Sequence, residues 1–305
     1  MGFLKISFLK ARNTALFLAT ITAIIYGISF TVAKDVMPKY VKPYGFILLR
    51  VSGAAILFWI SSLFIKKTKI PLTDLSKIVI ASVFGVALNM LTFFKGLSMT
   101  TPISGAVIMV TTPILVLTFS SFLLKEKANF IKILGILIGM IGAIVLISFG
   151  KKINGGNNEI LGNLLVFINA ASYALYLILI KNLTKKYHAI HLAKWLYTFG
   201  FLLVLPFSYA QILEIEITTL PQIIWYKIFF IVFFTTFVTY LFNLIAITKL
   251  KPTTVSIFIY LQPVFATIYA LFTKSDSLNI TKILASLLIF VGVYLVTKPN
   301  ANKIK

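Results

Sequence analysis

The chain of 305 residues contains no cysteine, only two histidines and only 7 acidic residues. Without thiols there can be no disulfide and no thiolate metal site. The two histidines, His188 and His191, lie in a basic stretch between apolar segments, so we expect no metal centre. The sequence also lacks a phosphate-binding glycine loop, a paired-aspartate motif and a Gly-x-Ser-x-Gly motif. We therefore expect neither enzymatic activity nor a cofactor.

Charge is scarce along the whole chain. Charged residues make up 12% of it and hydrophobic residues 59%, with a mean hydropathy of +1.00, whereas soluble domains carry about 25% charged residues. Uncharged runs recur, and most approach the roughly 20 residues that a helix needs to cross a bilayer. We predict ten transmembrane helices at residues 14–33, 44–65, 77–95, 101–124, 130–149, 160–180, 189–210, 223–245, 252–273 and 280–297.

The pattern within these runs favours helices over barrel strands. Strands of a membrane barrel alternate apolar and polar residues over about 10 residues. The runs of this chain are apolar on nearly every side. Because each backbone group in lipid needs a partner within its own segment, the predicted fold class is an all-α integral membrane protein.

The net charge of +22 is typical of proteins that bind nucleic acid or a membrane surface. The basic residues lie between the apolar runs, which favours the membrane and excludes nucleic acid as a partner. With a cytoplasmic N-terminus, the inner segments hold 19 basic residues and the outer segments hold 9. This excess predicts a multi-pass protein of the cell (inner) membrane with both termini in the cytoplasm. The basic cluster at 181–186 is either a binding site for anionic lipids or only a topology signal.

The two halves of the sequence resemble each other. Without gaps, a shift of 150 residues superposes prolines, an acidic position and a glycine, and a shift of 147 superposes tyrosines and lysines. The pairs are Pro102 with Pro252, Pro113 with Pro263, Glu126 with Asp276, Asn129 with Asn279, Gly142 with Gly292, Tyr26 with Tyr173 and Lys34 with Lys181. Five spans per half is an odd number, so the second half enters the membrane from the opposite side. We therefore predict two inverted five-helix repeats at 1–149 and 160–305, joined by an external linker at 150–159.

Several motifs resemble the EamA-type family of the drug/metabolite transporter superfamily. They are the stretch 96–113 ending in Thr111-Thr112-Pro113, the acidic residue in Leu124-Lys125-Glu126, the glycine-rich segment 135–142 and, in the second half, Pro252, Gln262-Pro263, Asp276 and Gly292. Asp276 departs from the family pattern, which has glutamate there. The resemblance covers essentially the whole chain and implies ten helices around a central cavity. It also implies an exporter or carrier of amino acids and other small metabolites.

Polar side chains share helical faces within the predicted spans. Asn169, Ser172, Tyr173 and Tyr176 form one stripe, and Thr235, Thr239 and Asn243 form another. Groups of this kind face a bundle interior, where they either line a cavity or bond neighbouring helices. Both interpretations stay open for each residue. The predicted substrate cavity consists of Tyr26, Asn89, Thr112, Asn169, Tyr173, Tyr176, Thr239 and Gln262.

Two prolines and one charge lie inside the spans. Pro113 and Pro263 free the carbonyls four residues before them, so we expect a kink or hinge at each, or else a passive bend. Arg50 is the one charge well inside a span, and such a charge is functional by default. Because Arg50 lies only about 10 Å from the start of its span, it can alternatively extend outward or pair with Asp35.

The combined interpretation is a secondary-active transporter that moves a small-molecule solute by alternating access, with export as the expected direction. An importer or exchanger would share these features, and a non-transporting membrane scaffold is the alternative from another class. The coupling ion stays open, with a proton as one candidate. A monomer and a homodimer are both compatible with the sequence.

Overall fold

The computed structural model describes residues 2–37, 39–99, 102–125, 129–148, 159–216, 219–272 and 279–298. Within these residues all regular secondary structure is helical, and no strand occurs. The predicted all-helical class is confirmed. Glu126, Asp276 and most of the linker predicted at 150–159 lie outside the described residues.

Fourteen α-helical segments follow one another along the described chain. They are α1 (Gly2–Val36), α2 (Pro43–Ser62), α3 (Leu72–Ser82), α4 (Leu88–Met99), α5 (Pro102–Met109), α6 (Thr112–Leu123), α7 (Phe130–Ser148), α8 (Glu159–Leu183), α9 (Ala189–Leu213), α10 (Gln222–Phe230), α11 (Thr239–Lys249), α12 (Pro252–Ser256), α13 (Leu261–Phe272) and α14 (Ile280–Thr297).

Several of these segments join into longer helical stretches with local changes of winding. A π-helical segment, Val83–Ala87, joins α3 to α4, and a second, Ile231–Val238, joins α10 to α11. A turn at residues 110–111 separates α5 from α6, and a 3₁₀ segment, Ile257–Tyr260, joins α12 to α13. The interruptions fall in the third and fourth predicted spans of each half. π-segments are often found at functional sites.

Nine stretches of the described chain are long and apolar enough to cross a membrane. They correspond to nine of the ten predicted spans, so the multi-pass membrane class is confirmed, whereas the count of ten is not. The remaining predicted span, 252–273, is helical, but its α-helical parts are only 5 and 12 residues long. The apolar run at 252–273 predicted one continuous span and gave no sign of this interruption.

Local sequence explains where several helices begin. Pro43 and Pro252 stand at the first positions of α2 and α12, where the missing N–H costs nothing. The Asn279 side chain accepts a hydrogen bond from the Lys282 N–H at 2.9 Å and caps α14. The cap of α2 comes from a distant residue. The side-chain oxygen Oε1 of Gln211, at the end of α9, accepts a hydrogen bond from the Tyr44 backbone N–H at 2.8 Å.

The main helix contacts form matched pairs across the two halves. Helix α7 packs along α14, and α2 packs along α9. Helices α4 and α6 pack on α8, while α11 and α13 pack on α1. The glycines Gly53 of α2 and Gly200 of α9 lie against Val232 and Val86, which belong to the π-segments of the opposite halves. Each of these contacts joins the two halves, and each is matched by a contact between the corresponding helices with the halves exchanged.

Helices α7 and α14 approach each other through glycines. A Cβ atom at Gly292 would lie 2.6 Å from the carbonyl oxygen of Gly135, which is too close for a real side chain. Small residues permit such close backbone contact, which is a main source of helix association in lipid. The opposite faces carry exposed Leu137, Ile141, Leu287 and Val291. These faces suit contact with lipid.

Candidate functional site

A small, partly open cavity of about 20 Å³ lies between α1, α8, α11 and the stretch from α12 to α13. Its lining residues come from both halves of the chain. They are Ala19, Thr22, Ala23, Tyr26, Tyr173, Asn243, Val255, Phe258, Ile259 and Gln262. A cavity of this size has room for about one water molecule in this conformation, well below the usual range for drug-sized ligands.

The α1 wall of the cavity is one helical stripe. Ala19, Thr22, Ala23 and Tyr26 follow the spacing i, i+3, i+4, i+7, so they share a face. The two alanines leave room beside the helix, and Tyr26 and Thr22 add polar groups. The 3₁₀ segment on the opposite wall brings Phe258 and Ile259 to the same space.

Several polar groups that line the cavity have no partner. The hydroxyl of Thr22, a residue only 4% exposed, forms no hydrogen bond within the described residues. The side-chain amides of Asn243 and Gln262 also form none with any part of the chain that the structure describes. An unsatisfied buried polar group costs about 1–3 kcal/mol. Groups of this kind around a common space are suited to bind a polar solute.

Two tyrosines, Tyr26 and Tyr173, line the cavity, and a third, Tyr176, lies next to them. The hydroxyls of Tyr26 and Thr239 lie 3.0 Å apart, and the Thr239 hydroxyl donates its hydrogen to the Thr235 carbonyl at 2.6 Å. The lone pairs of Thr239 are therefore available for the Tyr26 hydrogen. The Tyr173 ring, also on the cavity wall, lies 5.9 Å from the Tyr176 ring. Tyr176 is itself fully buried and is not among the ten lining residues.

Two predicted cavity residues bond each other instead of facing the cavity. The Asn169 side-chain nitrogen Nδ2 donates to the Asn89 backbone carbonyl at 2.6 Å, and the Asn89 Nδ2 donates to the Asn169 backbone carbonyl at 3.4 Å. This reciprocal pair connects α8 to α4. For Asn89 and Asn169 the geometry favours the alternative interpretation, helix packing, over the cavity lining that we predicted.

Thr112 and the two prolines belong to the interrupted stretches. Pro113 lacks the N–H that would bond the Met109 carbonyl, and the Thr112 hydroxyl donates to that carbonyl at 2.6 Å. Thr112 is completely buried and is not among the ten lining residues. Pro263 follows the lining residue Gln262 directly, just after the 3₁₀ segment. Each proline therefore lies at a change of winding.

Arg50 does not extend outward. It is 9% exposed, its Nε donates to the Thr236 hydroxyl at 3.1 Å, and its guanidinium lies 5.6 Å from the centre of the Phe94 ring. Asp35, the alternative partner from the sequence, pairs with Lys227 at 2.6 Å instead. Both the outward position and the pairing with Asp35 are therefore wrong. Helix α2 packs against the π-segment of the second half, which places Thr236 beside Arg50.

Ion pairs connect the two halves at both ends of the bundle. At the predicted inner end, the nearly buried Asp74 accepts hydrogen bonds from Lys77 and Lys186, each at 2.9 Å, and from the Tyr187 hydroxyl at 2.8 Å. Partial burial and the neighbouring carboxylate raise the pKa of Tyr187, so its hydroxyl stays protonated as a donor. At the predicted outer end, Lys227 pairs with Asp35, and Lys42 pairs with Glu214 at 2.5 Å.

The cavity also contains residues that the sequence did not single out. Five lining residues are apolar and gave no signal in the sequence: Ala19, Ala23, Val255, Phe258 and Ile259. Of these, only the two alanines could have been inferred, because helical spacing places them on the same face of α1 as Tyr26. Asn243 lies on a predicted polar stripe, and Thr22 lies one helical turn before the predicted Tyr26, so both could have been found from the sequence. No group of three metal-ligating side chains occurs among the described residues.

Comparison with known proteins supplies the family. The model of the EamA-like transporter family matches residues 13–148 and again residues 160–298. The uncharacterized transporter YyaM of Bacillus subtilis (strain 168) is 26% identical over 281 residues, which cover 89% of each chain. The uncharacterized transporter YoaV of the same organism is 28% identical and covers 90% of this chain and 93% of its own.

A more distant relative and a solved structure agree with this match. An uncharacterized transporter of Archaeoglobus fulgidus is 23% identical over 92% of this chain and 96% of its own. One crystal structure superposes with a TM-score of 0.76 at 15% identity, covering 94% of this chain and 98% of that one, and therefore shares the fold. Because the family match takes in nearly all of both halves, the chain belongs to the EamA-like transporter family.

Proposed function

We propose that this chain is a secondary-active transporter that exports amino acids or related small metabolites by alternating access. The observation that carries the proposal is the cavity, whose buried Thr22 hydroxyl and Asn243 and Gln262 amides have no partner in the described chain. The Thr22 hydroxyl is completely buried, so in a non-transporting scaffold it would only destabilise the fold. A solute that bonds these groups in passing explains why they are there.

The proposed architecture is ten membrane helices in two inverted repeats, 1–149 and 160–305, with the linker and the loops of 9 basic residues outside. The paired helix contacts support it, as do the interruptions shared by the third and fourth spans of each half. In this arrangement α12 and α13 together form the ninth span. An interrupted helix near the centre of a membrane is tolerated where it lines a cavity, and this stretch does so.

Alternating access requires two ends that close in turn. The Asp74 cluster with Lys186 and the Lys227–Asp35 pair join the two halves at opposite ends, and we propose that they open at different stages of transport. The exposed Lys227–Asp35 pair contributes about 0–1 kcal/mol, so opening that end is within the range that binding of a solute can drive. The nearly buried Asp74, with three donors, costs more to separate from its partners.

The test is a flux screen with purified protein in proteoliposomes. Amino acids, nucleosides and amphipathic amines are supplied on either side, with and without a proton gradient. Efflux that exceeds uptake supports an exporter, and exchange that needs solute on both sides supports an exchanger. Absence of flux for every class in both directions would refute the transporter proposal.

Variants of the unpartnered amides make the screen specific. Asn243→Leu and Gln262→Leu should lower flux about tenfold, the effect of one lost hydrogen bond of about 1.4 kcal/mol to the solute. Each should also leave the thermal stability unchanged or higher, because no protein bond is lost. The matched control is Thr118→Val, whose exposed hydroxyl bonds only its own helix. Normal flux in both leucine variants would contradict a role of these amides in transport.

A further inference from the structure

Arg50 is a buried cation with no counter-ion among the residues that the structure describes. Of the acidic side chains that the structure describes, Asp35, Asp74 and Glu214 are paired with lysines, and the exposed Glu216 contacts only Thr219. None of them bonds Arg50. An unpaired charge within a membrane protein is costly, so such residues usually face a partner or a water-filled path.

Most of the hydrogen-bonding capacity of Arg50 is unused. A guanidinium has five N–H donors in a planar fork, and only the one on Nε is donated, to Thr236. The two terminal nitrogens form no hydrogen bond with any described residue. The terminal nitrogens are the part of the fork that grips a carboxylate with two parallel bonds. The Phe94 ring covers the guanidinium and holds its plane.

One helical stretch of the second half links Arg50 to the cavity wall. Thr236, its hydrogen-bond partner, lies on the π-segment that ends at Val238, and the next residue, Thr239, contacts the Tyr26 hydroxyl on the cavity wall. Arg50 is therefore bonded to a helical stretch that, one turn further along, contacts the cavity wall.

We propose that Arg50 is the binding site for a carboxylate of the transported solute. The inference deepens the proposed function, on which it rests, by specifying the substrate class as carboxylic acids, amino acids among them. The unpartnered amides of Asn243 and Gln262 bind the other polar groups of the solute, and Arg50 binds its negative charge. In this proposal the solute provides the carboxylate that the described acidic side chains do not.

The test compares acids with their amides on purified full-length protein. Thermal unfolding is followed with leucine and leucinamide, phenylalanine and phenylalaninamide, lactate and lactamide, and benzoate and benzamide. At least one acid should stabilise the wild type more than its amide does. Arg50→Gln should abolish that difference. Arg50→Lys, which keeps the charge and loses the fork, should weaken the acid about tenfold. Lys39→Gln, which removes an exposed cation, should change nothing.

The outcomes separate the site from the transport function. An acid preference that persists in Arg50→Gln, or no acid preference in the wild type for any pair, would overturn the carboxylate site. If Arg50→Gln does not fold, the Arg50→Lys titration and the wild-type comparison still decide. If the protein transports neutral or cationic solutes and Arg50→Lys does not change their flux, the chain is a transporter and Arg50 is not its carboxylate site. Arg50-dependent stabilisation without flux of any acid keeps the site and rejects the transporter.

Discussion

The hydroxyl of Thr112 should matter for stability only because the next residue is a proline. Pro113 has no N–H, so the Met109 carbonyl loses its helical donor, and Thr112 donates to it at 2.6 Å. Thr112→Val keeps the shape and removes the donor, which leaves a buried carbonyl unsatisfied. We expect a loss of about 1–2 kcal/mol in the free energy of unfolding.

The same substitution should be nearly neutral when Pro113 is replaced. In Pro113→Ala the alanine N–H can bond the Met109 carbonyl, so the Thr112 hydroxyl becomes redundant. The double-mutant cycle should therefore give a coupling energy of about 1 kcal/mol between positions 112 and 113. Unfolding in mixed micelles, followed by tryptophan fluorescence, measures all four proteins under one condition.

The control for this cycle is Thr118→Val on the same helix. Its hydroxyl donates to the Ile114 carbonyl at 2.9 Å, and that carbonyl keeps its ordinary helical donor. The cost of this change should be small and the same with or without Pro113. If Thr112→Val costs the same in both backgrounds, the hydroxyl does not replace the missing N–H and the reasoning fails.

Two further predictions concern the cavity and the orientation. Asn169→Leu should lower stability by about 1 kcal/mol, because it removes the hydrogen bond from the Asn169 amide to the Asn89 backbone carbonyl, whereas Tyr173→Phe should lower flux and leave stability unchanged. Equal thermal unfolding of the two variants would contradict this division. A single cysteine at exposed Lys39 should react with an impermeant thiol reagent from outside, and one at exposed Lys185 should not. The reverse labelling pattern would overturn the cytoplasmic placement of the termini.

The helices were largely predictable because lipid imposes simple rules. The predicted 280–297 coincides with α14, and the predicted 130–149 ends one residue beyond α7. The π-segments and the 3₁₀ segment were not predicted. They differ from α-helix only by which carbonyl each N–H bonds, and hydropathy is blind to that choice. Pro263 marked the position of one interruption without giving its type.

The polar residues were predictable as a set and not one by one. The stripes correctly placed polar groups within the bundle, where Asn169, Thr112 and Thr239 are buried. Whether a group bonds another helix or stays free depends on the rotation and height of two helices relative to each other. Apolar side chains over the whole length of the interface set those quantities, so no short motif contains them. This is why Asn89 and Asn169 bond each other, whereas the Asn243 amide forms no hydrogen bond within the described residues.

The matched positions of the two halves are in different states of bonding, which bears on how the proposed carrier works. Asn89 corresponds to Thr239 at the shift of 150, and Asn169 corresponds to Thr22 at the shift of 147. The asparagines bond each other, while Thr239 bonds Tyr26 and Thr22 has no partner.

In the proposed inverted arrangement, an exchange of conformations between the halves would reverse this difference. Thr22 would then approach Thr239 as the cavity closes, and the Asn89–Asn169 pair would separate to open a second space beside α8. Hydrogen bonds between membrane helices contribute about 0.6 kcal/mol each and at most about 1.7. Two broken bonds against one gained therefore leave the two states within a few kcal/mol of each other. A gap of that size is small enough for solute binding to bias in either direction, as alternating access requires.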